Sequence, residues 1–543
     1  MKQIFYKYLE ETININKIQN SYFSEIKFLF LKYLYEHLLS IVLRIETANY
    51  IFGGKKIFYF NNIDCAIVKF LQSIYRCKII SLNLYKNDVL IIQLFIRTFI
   101  FNSARKIFTF FYIKNSCLKK KNKKILINTE NKISFNNNLR NDFFFLKKKI
   151  QKFIFNNNYF PINKNELKNN NCLCITNSFL LNLKSDYLLE NDISQIFIKG
   201  VNINNVRQNF FGLQIKLINI KFLMLKLYPF FSNYNVNYVI NTNYSSDISM
   251  ALEFLKKIFK FKTISYQYSF LRTANPIMSS ISDYMIIFSN YFKKIFSKYS
   301  KPKKFIEGGY LYSSFINKYK KKIGYFKKKY NLKDKFVISF YDENCDNSVW
   351  SLTTTNEMAK EYESLANFVL DNEDIVVLVK TQFLKNFPSV LSKSINLEKA
   401  LKSKSLIEVC DVNINQLQKK GISLRKKRNN ILPLMTALVS DITISKKYGA
   451  TTSIESAIVN KRNIIINEKG YKEPCDKYYK KNIEFKNLDE ALDQILVYKK
   501  NLNSKKNINN NLGNWDFLIN NIFMLKTYKN FKFVNEMQNI MKD

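Results

Sequence analysis

An α/β fold of two doubly wound, mostly parallel domains is predicted for this chain by three observations. The 543 residues exceed what a single hydrophobic core supports, roughly 250 to 300 residues. Short apolar runs alternate with helix-periodic segments in two series, Asn237 to Ile306 and Phe336 to Ile466, the pattern of strands covered on both faces by helices. Between the series lies Tyr310 to Asp334, where lysine dominates the segment KYKKKIGYFKKKY, and this composition marks a junction.

The elements follow in order. From Met1 to Phe52 apolar residues recur at helical spacing, as in Phe28, Leu31, Leu34, Tyr35 and Leu38, which adds one or two amphipathic helices ahead of the first domain. Ile57 to Asn61 reads as a strand after the Gly53-Gly54 break, with a helix over Asp64 to Tyr75. Residues 88–125 join an apolar segment to the basic run Lys119 to Lys124. That is a buried helix and solvated loop, or a face that rests on an anionic bilayer. Ile125 to Asn128, Leu173 to Thr176 and Gln195 to Ile198 are strand-like pieces among Asn-rich loops, and the pattern leaves their order open.

The signal sharpens at Asn237. NYVINT is a strand, Ser245-Ser246-Asp247 offers a helix cap, and Ile248, Ala251, Leu252, Leu255 and Phe259 share a helix face. Strands are predicted at Thr263 to Tyr268, Asp283 to Ser289 and Lys303 to Ile306. Tyr310 to Asp334 shows no apolar core of its own. The second series opens with FVISFY at Phe336 to Tyr341, and Thr354 with Glu357 makes a capping box into a helix through Met358, Tyr362, Leu365 and Val369. Ile375 to Lys380, Leu406 to Cys410, Asp441 to Ser445 and Asn463 to Ile466 are further strands, with a short helix at Pro433 to Val439. Trp515 to Met541 is helical by pattern and packs back across the junction. The expected organisation is thus residues 1–315 as a first domain, 316–334 as linker, 335–512 as a second domain and 513–543 as a returning helix.

Composition narrows the partners. Net charge is +44, from 86 Lys+Arg against 42 Asp+Glu, which invites nucleic acid, anionic lipid or phosphorylated ligands. The joint abundance of Lys, Asn, Ile and Phe is what an AT-rich coding sequence produces, and no nucleic-acid reading motif is present, so a nucleic-acid partner is not expected. The eight cysteines lack CxxC spacing and read as reduced thiols rather than zinc ligands or disulfides. MKQIFYKYLEETININK breaks into charge before an apolar signal forms. The most apolar runs carry too many charges, or are too short, to span a bilayer. A cytoplasmic location follows as the expectation, with peripheral contact to an anionic membrane as its extension.

Ser440 to Asn467, SDITISKKYGATTSIESAIVNKRNIIIN, carries the strongest chemistry. It reads as strand, Gly449-Ala450 turn, helix Ser453 to Asn460 and strand, a complete βαβ unit. At such a turn the unpaired helix N–H groups and the helix dipole attract phosphate. Thr452 and Glu455 also form a capping box by spacing, which would spend both side chains on helix donors.

With Gly449, Thr452, Ser453, Glu455, Ala457 and Lys461 in place, this stretch resembles the donor-site element of GT-B glycosyltransferases that build bacterial capsule and lipopolysaccharide. Val376 to Lys380 is similar to that family's strand ending in Lys, and Asn237 to Gly309 to its strand, helix, strand with a Gln-His-Gly turn, although Gln267 is followed here by Tyr268 and Ser269. The resemblance covers roughly 240 to 480. It implies two Rossmann-like domains facing across a cleft, a nucleotide-sugar donor as substrate, a saccharide or lipid-linked saccharide acceptor, and neither metal nor cofactor. Lys380, Gly449, Thr452, Ser453 and Glu455 would then hold the donor, with Lys461 adding charge. A base for the acceptor is sought in Asp342 and Glu343, which directly follow a strand, or in Tyr268; His37, the only histidine, falls in a helical pattern far away in sequence. The alternative is a GT-B-like sugar-binding or scaffold protein without catalysis, favoured by Tyr268 at the histidine position. A polyol-phosphate transferase of the histidine-dependent kind is disfavoured on the same ground.

Overall fold

The computed structural model describes most of residues 211–542, apart from stretches such as 271–279, 347–352 and 448–450; before residue 211 it describes mainly 57–61, 78–82, 124–129, 150–156 and 164–175. Apart from Ile45, Leu71 and Gln72, which are helical, the helices expected within 1–52 and 64–75 lie outside the described residues, as do His37, the apolar segment of 88–125, the strand at 195–198 and Gly449.

Two parallel sheets dominate the described residues. The first holds β3 (Lys124–Thr129), β4 (Gln151–Asn156), β5 (Cys172–Ile175), β6 (Tyr238–Asn241), β7 (Lys262–Tyr266), β8 (Tyr284–Ile287) and β9 (Lys304–Glu307), in the order β5-β4-β3-β6-β7-β8-β9. The second holds β10 (Phe336–Tyr341), β11 (Ile375–Lys380), β12 (Leu406–Glu408), β13 (Ile442–Lys446), β14 (Arg462–Ile466) and β15 (Glu484–Phe485), in the order β12-β11-β10-β13-β14-β15. A separate parallel pair joins β1 (Ile57–Asn61) to β2 (Lys78–Leu82). These are the two Rossmann-like halves expected. Each sheet reverses its winding once, between β3 and β6 and between β10 and β13, and at such switch points open α/β sheets form crevices beyond their carboxyl ends.

The helices that matter below are α1 (Phe211–Asn233), α2 (Asp247–Phe259), α3 (Ile323–Lys329), α4 (Thr355–Asp371), α5 (Pro433–Val439), α6 (Thr451–Ile458) and α7 (Lys532–Lys542). Ser246 caps α2 by accepting from Ser249 N. The expected capping box on α4 is formed: Thr354 Oγ1 accepts from Glu357 N at 3.2 Å, and Thr354 N donates back to Glu357 Oε2 at 2.7 Å. Sequence periodicity did not reveal β2, β4 or α1. In α1 apolar residues surround the helix almost evenly and Pro229 sits inside it, so no amphipathic stripe announces it.

The junction departs from expectation. Tyr310 to Asp334 does not lack a core: Tyr310, Leu311, Phe315, Ile316, Tyr319 and Phe326 are buried in one apolar cluster that also contains Ile127 of the first sheet and Val337 of the second. Lysine dominates the composition of the segment, whereas its aromatic residues determine its position. The two halves thus share a packed interior along this line.

The described parts of the tail pack against the first half. Trp515 and Phe523 pack together, and Phe523 meets Phe270 and Phe292 of the first half edge-on or stacked. Farther on, α7 lays Phe533, Met537, Ile540 and Met541 into the shared cluster. Phe533 contacts Tyr266 edge-on and crosses Gly308, where a Cβ would lie 2.4 Å from Ile286 Cγ2 and 3.3 Å from the Phe533 ring. Glycine is required here by the approach of a β-branched neighbour that cannot swing away. Gly308→Ala should therefore destabilise the protein by about 1–3 kcal/mol. In denaturant unfolding its cost should be less than additive with that of Ile286→Ala, which removes the clashing methyl; strict additivity would show that the clash is relieved elsewhere.

Candidate functional site

The carboxyl edges of the two sheets meet. From the first sheet come the turn after β7, Gln267 to Phe270, and Tyr310, shortly after β9; from the second comes α6, which follows β13. Phe270 N donates to Thr451 Oγ1 at 2.9 Å across the interface. This brings together the two turns on which the sequence argument rests, and it places the amino end of α6, with its unpaired N–H groups, at their contact.

Within α6 the side chains divide their tasks. Ser453 is fully buried and its Oγ lies 2.7 Å from Ser445 Oγ, which in turn donates to Asn463 Oδ1 at 3.1 Å. Its hydroxyl thus fastens the helix to β13 and β14, so only its backbone N–H belongs to the helix end. Thr452 is half-buried, and its carbonyl accepts from Ser456 Oγ at 2.9 Å. The capping box expected of Thr452 and Glu455 is not formed. The helix begins at Thr451, and Glu455, buried to 3% exposure, points away from the helix start. Its Oε2 accepts from Leu434 N at 2.5 Å and its Oε1 from the hydroxyl of Tyr310, itself buried to 2%. The Leu434 N–H is one of the donors that α5 leaves unpaired at its start, so Glu455 caps α5 and binds the junction at once.

At the facing turn, Gln267 donates through Nε2 to Ser269 O at 3.0 Å and accepts at Oε1 from Phe288 N at 3.0 Å. It shapes the turn and presents Tyr268, which is 42% exposed.

Charge collects at the carboxyl edge of the second sheet. Asp342, next after β10, accepts from Gln382 N at 3.0 Å and from Asn386 Nδ2 at 3.1 Å. Burial raises its carboxyl to about 8, against the opposing pull of Lys380 and these two donors. Lys380 is buried, and its ammonium donates to Thr381 O at 2.5 Å. Glu343 is also raised by burial, opposed by Asn344 N and the charge of Lys446. Its Oε2 is buried and has no hydrogen-bond partner among the described residues.

Sequence reasoning missed the cation at the centre of this edge. Lys446, the last residue of β13, is buried and pairs with Glu361 of α4 and, at 3.2 Å, with Glu468. Glu361 is pushed up to about 7 by burial despite Lys446, and its Oε2 likewise has no hydrogen-bond partner among the described residues. One signal was available: Glu361 falls between Met358 and Tyr362 on the apolar stripe of α4, where an acid needs a buried partner. Lys446 itself looked like one more lysine in a lysine-rich chain. Beside it Lys447, fully buried, pairs with Glu484 and with Asp476 at 2.6 Å, over the ring of Tyr479.

Lys461 does not belong to this edge. It precedes β14, near Asp441 at the opposite, amino edge, and burial lowers its pKa; the motif match did not reveal which end of the strand it occupies. Glu473, Cys475 and Asp476 lie close enough to hold a cation, but Asp476 already pairs with Lys447 and its Oδ2 accepts from Glu473 N at 2.7 Å. The described cysteines, Cys172, Cys174, Cys345, Cys410 and Cys475, are free thiols.

No family model and no curated protein matches this chain. Among solved structures it is similar to the wall teichoic acid polymerase TagF, at 12% identity with a TM-score of 0.45, covering 84% of this chain and 99% of that one. It is also similar to UDP-GlcNAc 2-epimerase from Neisseria meningitidis bound to UDP-GlcNAc, at 12% identity and a TM-score of 0.41, covering 77% and 99%. A glycosyltransferase from Rickettsia africae matches at 14% identity and 0.41, covering 78% and 98%.

The raised carboxyls have a stability consequence. A carboxyl whose folded pKa exceeds its unfolded value near 4 keeps its proton in the native state, so its contribution is complete below about pH 4 and is lost as pH climbs through the folded value. Stability contributed by Asp342 and Glu361 should therefore fall between about pH 4 and 8. Asp342→Asn should flatten that slope and Lys446→Met, which removes the cation opposing the rise at Glu361, should steepen it. Urea unfolding midpoints across this range test both, and slopes identical to wild type would show that neither carboxyl is held in its protonated form.

Proposed function

We propose that this protein is a glycosyltransferase that moves a sugar from a nucleotide-sugar donor to a saccharide or lipid-linked saccharide acceptor. The observation that carries the reading is the bond between Phe270 N and Thr451 Oγ1, which sets the amino end of α6 against the facing turn. A diphosphate leaving group gathers negative charge as the glycosidic bond to it breaks, and fixed N–H groups at a helix start stabilise that charge. Thr451, Thr452 and Ser453 supply these N–H groups, and in the sequence Gly449 stands two residues before them.

Acceptor activation falls to Glu343. Its buried Oε2 has no hydrogen-bond partner among the described residues and its pKa is raised, so it can take the acceptor hydroxyl proton as the new C–O bond forms. Asp342 is engaged by Gln382 and Asn386 and positions the loop after β11. Tyr268 offers its ring to the acceptor from the facing turn. Lys380 supports the donor side as a positive charge near Asp342. Glu455 acts through Tyr310 and α5, fixing α6 in place. The reading needs no metal, because the helix end and Lys380 supply the positive potential; capsule or lipopolysaccharide is the surface carbohydrate we assign to it.

A second reading, a sugar-binding GT-B-like protein without turnover, is favoured by two features: Lys380, Lys446 and Lys447 are all engaged with neighbouring groups, and Tyr268 stands where the resemblance implies a histidine. Thermal unfolding with a panel of nucleoside diphosphates tests both readings together, and a donor-turnover assay separates them. At a ligand concentration one hundred times Kd, stabilisation of about 2.7 kcal/mol is expected, and Thr451→Val, which loses the acceptor for Phe270 N, should weaken binding about tenfold. Stabilisation with donor turnover supports the transferase, stabilisation without it supports the second reading, and no stabilisation by any nucleotide contradicts both.

A further inference from the structure

The junction carries a feature that the sugar-transfer chemistry does not use. Between residues 318 and 335 the chain has nine lysines and a single acid, Asp334, whereas the whole chain has 86 basic residues to 42 acidic.

Four of these lysines, Lys321, Lys327, Lys328 and Lys329, are exposed in and just before α3. In and just before α3, Ile323, Phe326 and Tyr330 turn inward, Phe326 into the shared core. Lys321, Tyr325 and Lys328, spaced four and three apart, form the outer stripe of the helix. All three are exposed, Tyr325 to 65%, and Lys327 and Lys329 flank them, also exposed. The cations crowd one another: the pKa of Lys318 is lowered by burial and further by the charge of Lys322. Like charges gathered this closely repel, and an opposing anionic surface relieves the repulsion. The helix packs on α5, whose first turn Glu455 caps, so the basic face is rigidly coupled to α6.

We propose that this outer face of 318–335, centred on Tyr325, docks the protein onto an anionic lipid bilayer. A convex helix stripe with one aromatic at its centre suits a planar interface, where tyrosine sits at headgroup level among lysines. Single-stranded nucleic acid instead calls for a basic groove with successive stacking rings. The inference rests on the lipid-linked form of the acceptor proposed above only for its purpose; binding itself requires no turnover.

Co-sedimentation of the full chain with phosphatidylglycerol–phosphatidylcholine vesicles tests it, against vesicles of phosphatidylcholine alone. Binding should be confined to the anionic vesicles and weaken as salt rises. Each lysine removed near the surface should cost about fivefold in partitioning, so Lys321, Lys327 and Lys328 changed together to Gln should lose about a hundredfold, and Tyr325→Ala should also weaken binding. A control triple at exposed lysines elsewhere on the surface, Lys399, Lys402 and Lys404 to Gln, should retain binding, with far-ultraviolet dichroism confirming that each variant folds. Equal loss in both triples would assign binding to diffuse charge and overturn the proposal, as would absence of vesicle binding or displacement from vesicles by single-stranded oligonucleotide. Nucleotide stabilisation of the lysine-to-Gln triple should stay at wild-type level, so failure of docking and failure of the transferase reading give different results.

Discussion

The buried carboxylate of Glu455 is the contact on which the arrangement of the two halves depends. It receives the Tyr310 hydroxyl from the junction and the Leu434 N–H from the start of α5, with all of its surroundings closed to solvent. A buried carboxylate is costly unless both oxygens are occupied, and here each has a donor. Hydrogen bonds to a charged group contribute about 1.5–3 kcal/mol each, and the loss of either donor would leave charge uncompensated. The relative position of α6, α5 and the chain leaving the first sheet is therefore set by one side chain. Around it the shared apolar cluster and the returning tail, with Phe523 and Phe533 against the first half, make the interface a packed core instead of a loose hinge.

The second constraint follows from parallel sheets. Every strand of such a sheet delivers its carboxyl end to the same edge, and in this chain two such edges confront each other. Polar residues that terminate strands are consequently gathered into a small space: Asp342 and Glu343 after β10, Lys380 at the end of β11, Lys446 and Lys447 at β13, Glu468 after β14. Burial raises the Asp342 and Glu343 carboxyls, and the opposing lysines limit how far. Glu343 and Glu361 each keep one buried oxygen with no hydrogen-bond partner among the described residues.

Much of the framework was legible in the sequence. Strands of four to six apolar residues between capped helices gave β6 to β14 within a residue or two, because both faces of these strands are covered and their runs are uninterrupted. The Thr354–Glu357 box and the α2 cap were legible because capping is local. Nonlocal partnership was not legible. By spacing, Glu455 completes a box with Thr452; in the fold it reaches Tyr310, far away in sequence. Lys461 matched a motif yet stands at the amino edge, since a motif match does not say which end of a strand a residue occupies. The lysines of 318–335 concealed Tyr319 and Phe326, whose burial joins the halves. Lys446 was invisible because its partner Glu361 lies on another element, and α1 was missed because it lacks a polar face.

The central claim is that the turn at Gln267 to Phe270 and the amino end of α6 form one ligand site. Amide hydrogen exchange, followed at both segments with and without a nucleoside diphosphate, tests it most directly. The account predicts that ligand slows exchange at Thr451 to Ile454 and at Gln267 to Phe270 together, with the same concentration dependence. Protection of only one of the two segments, or of neither at saturating ligand, would contradict it.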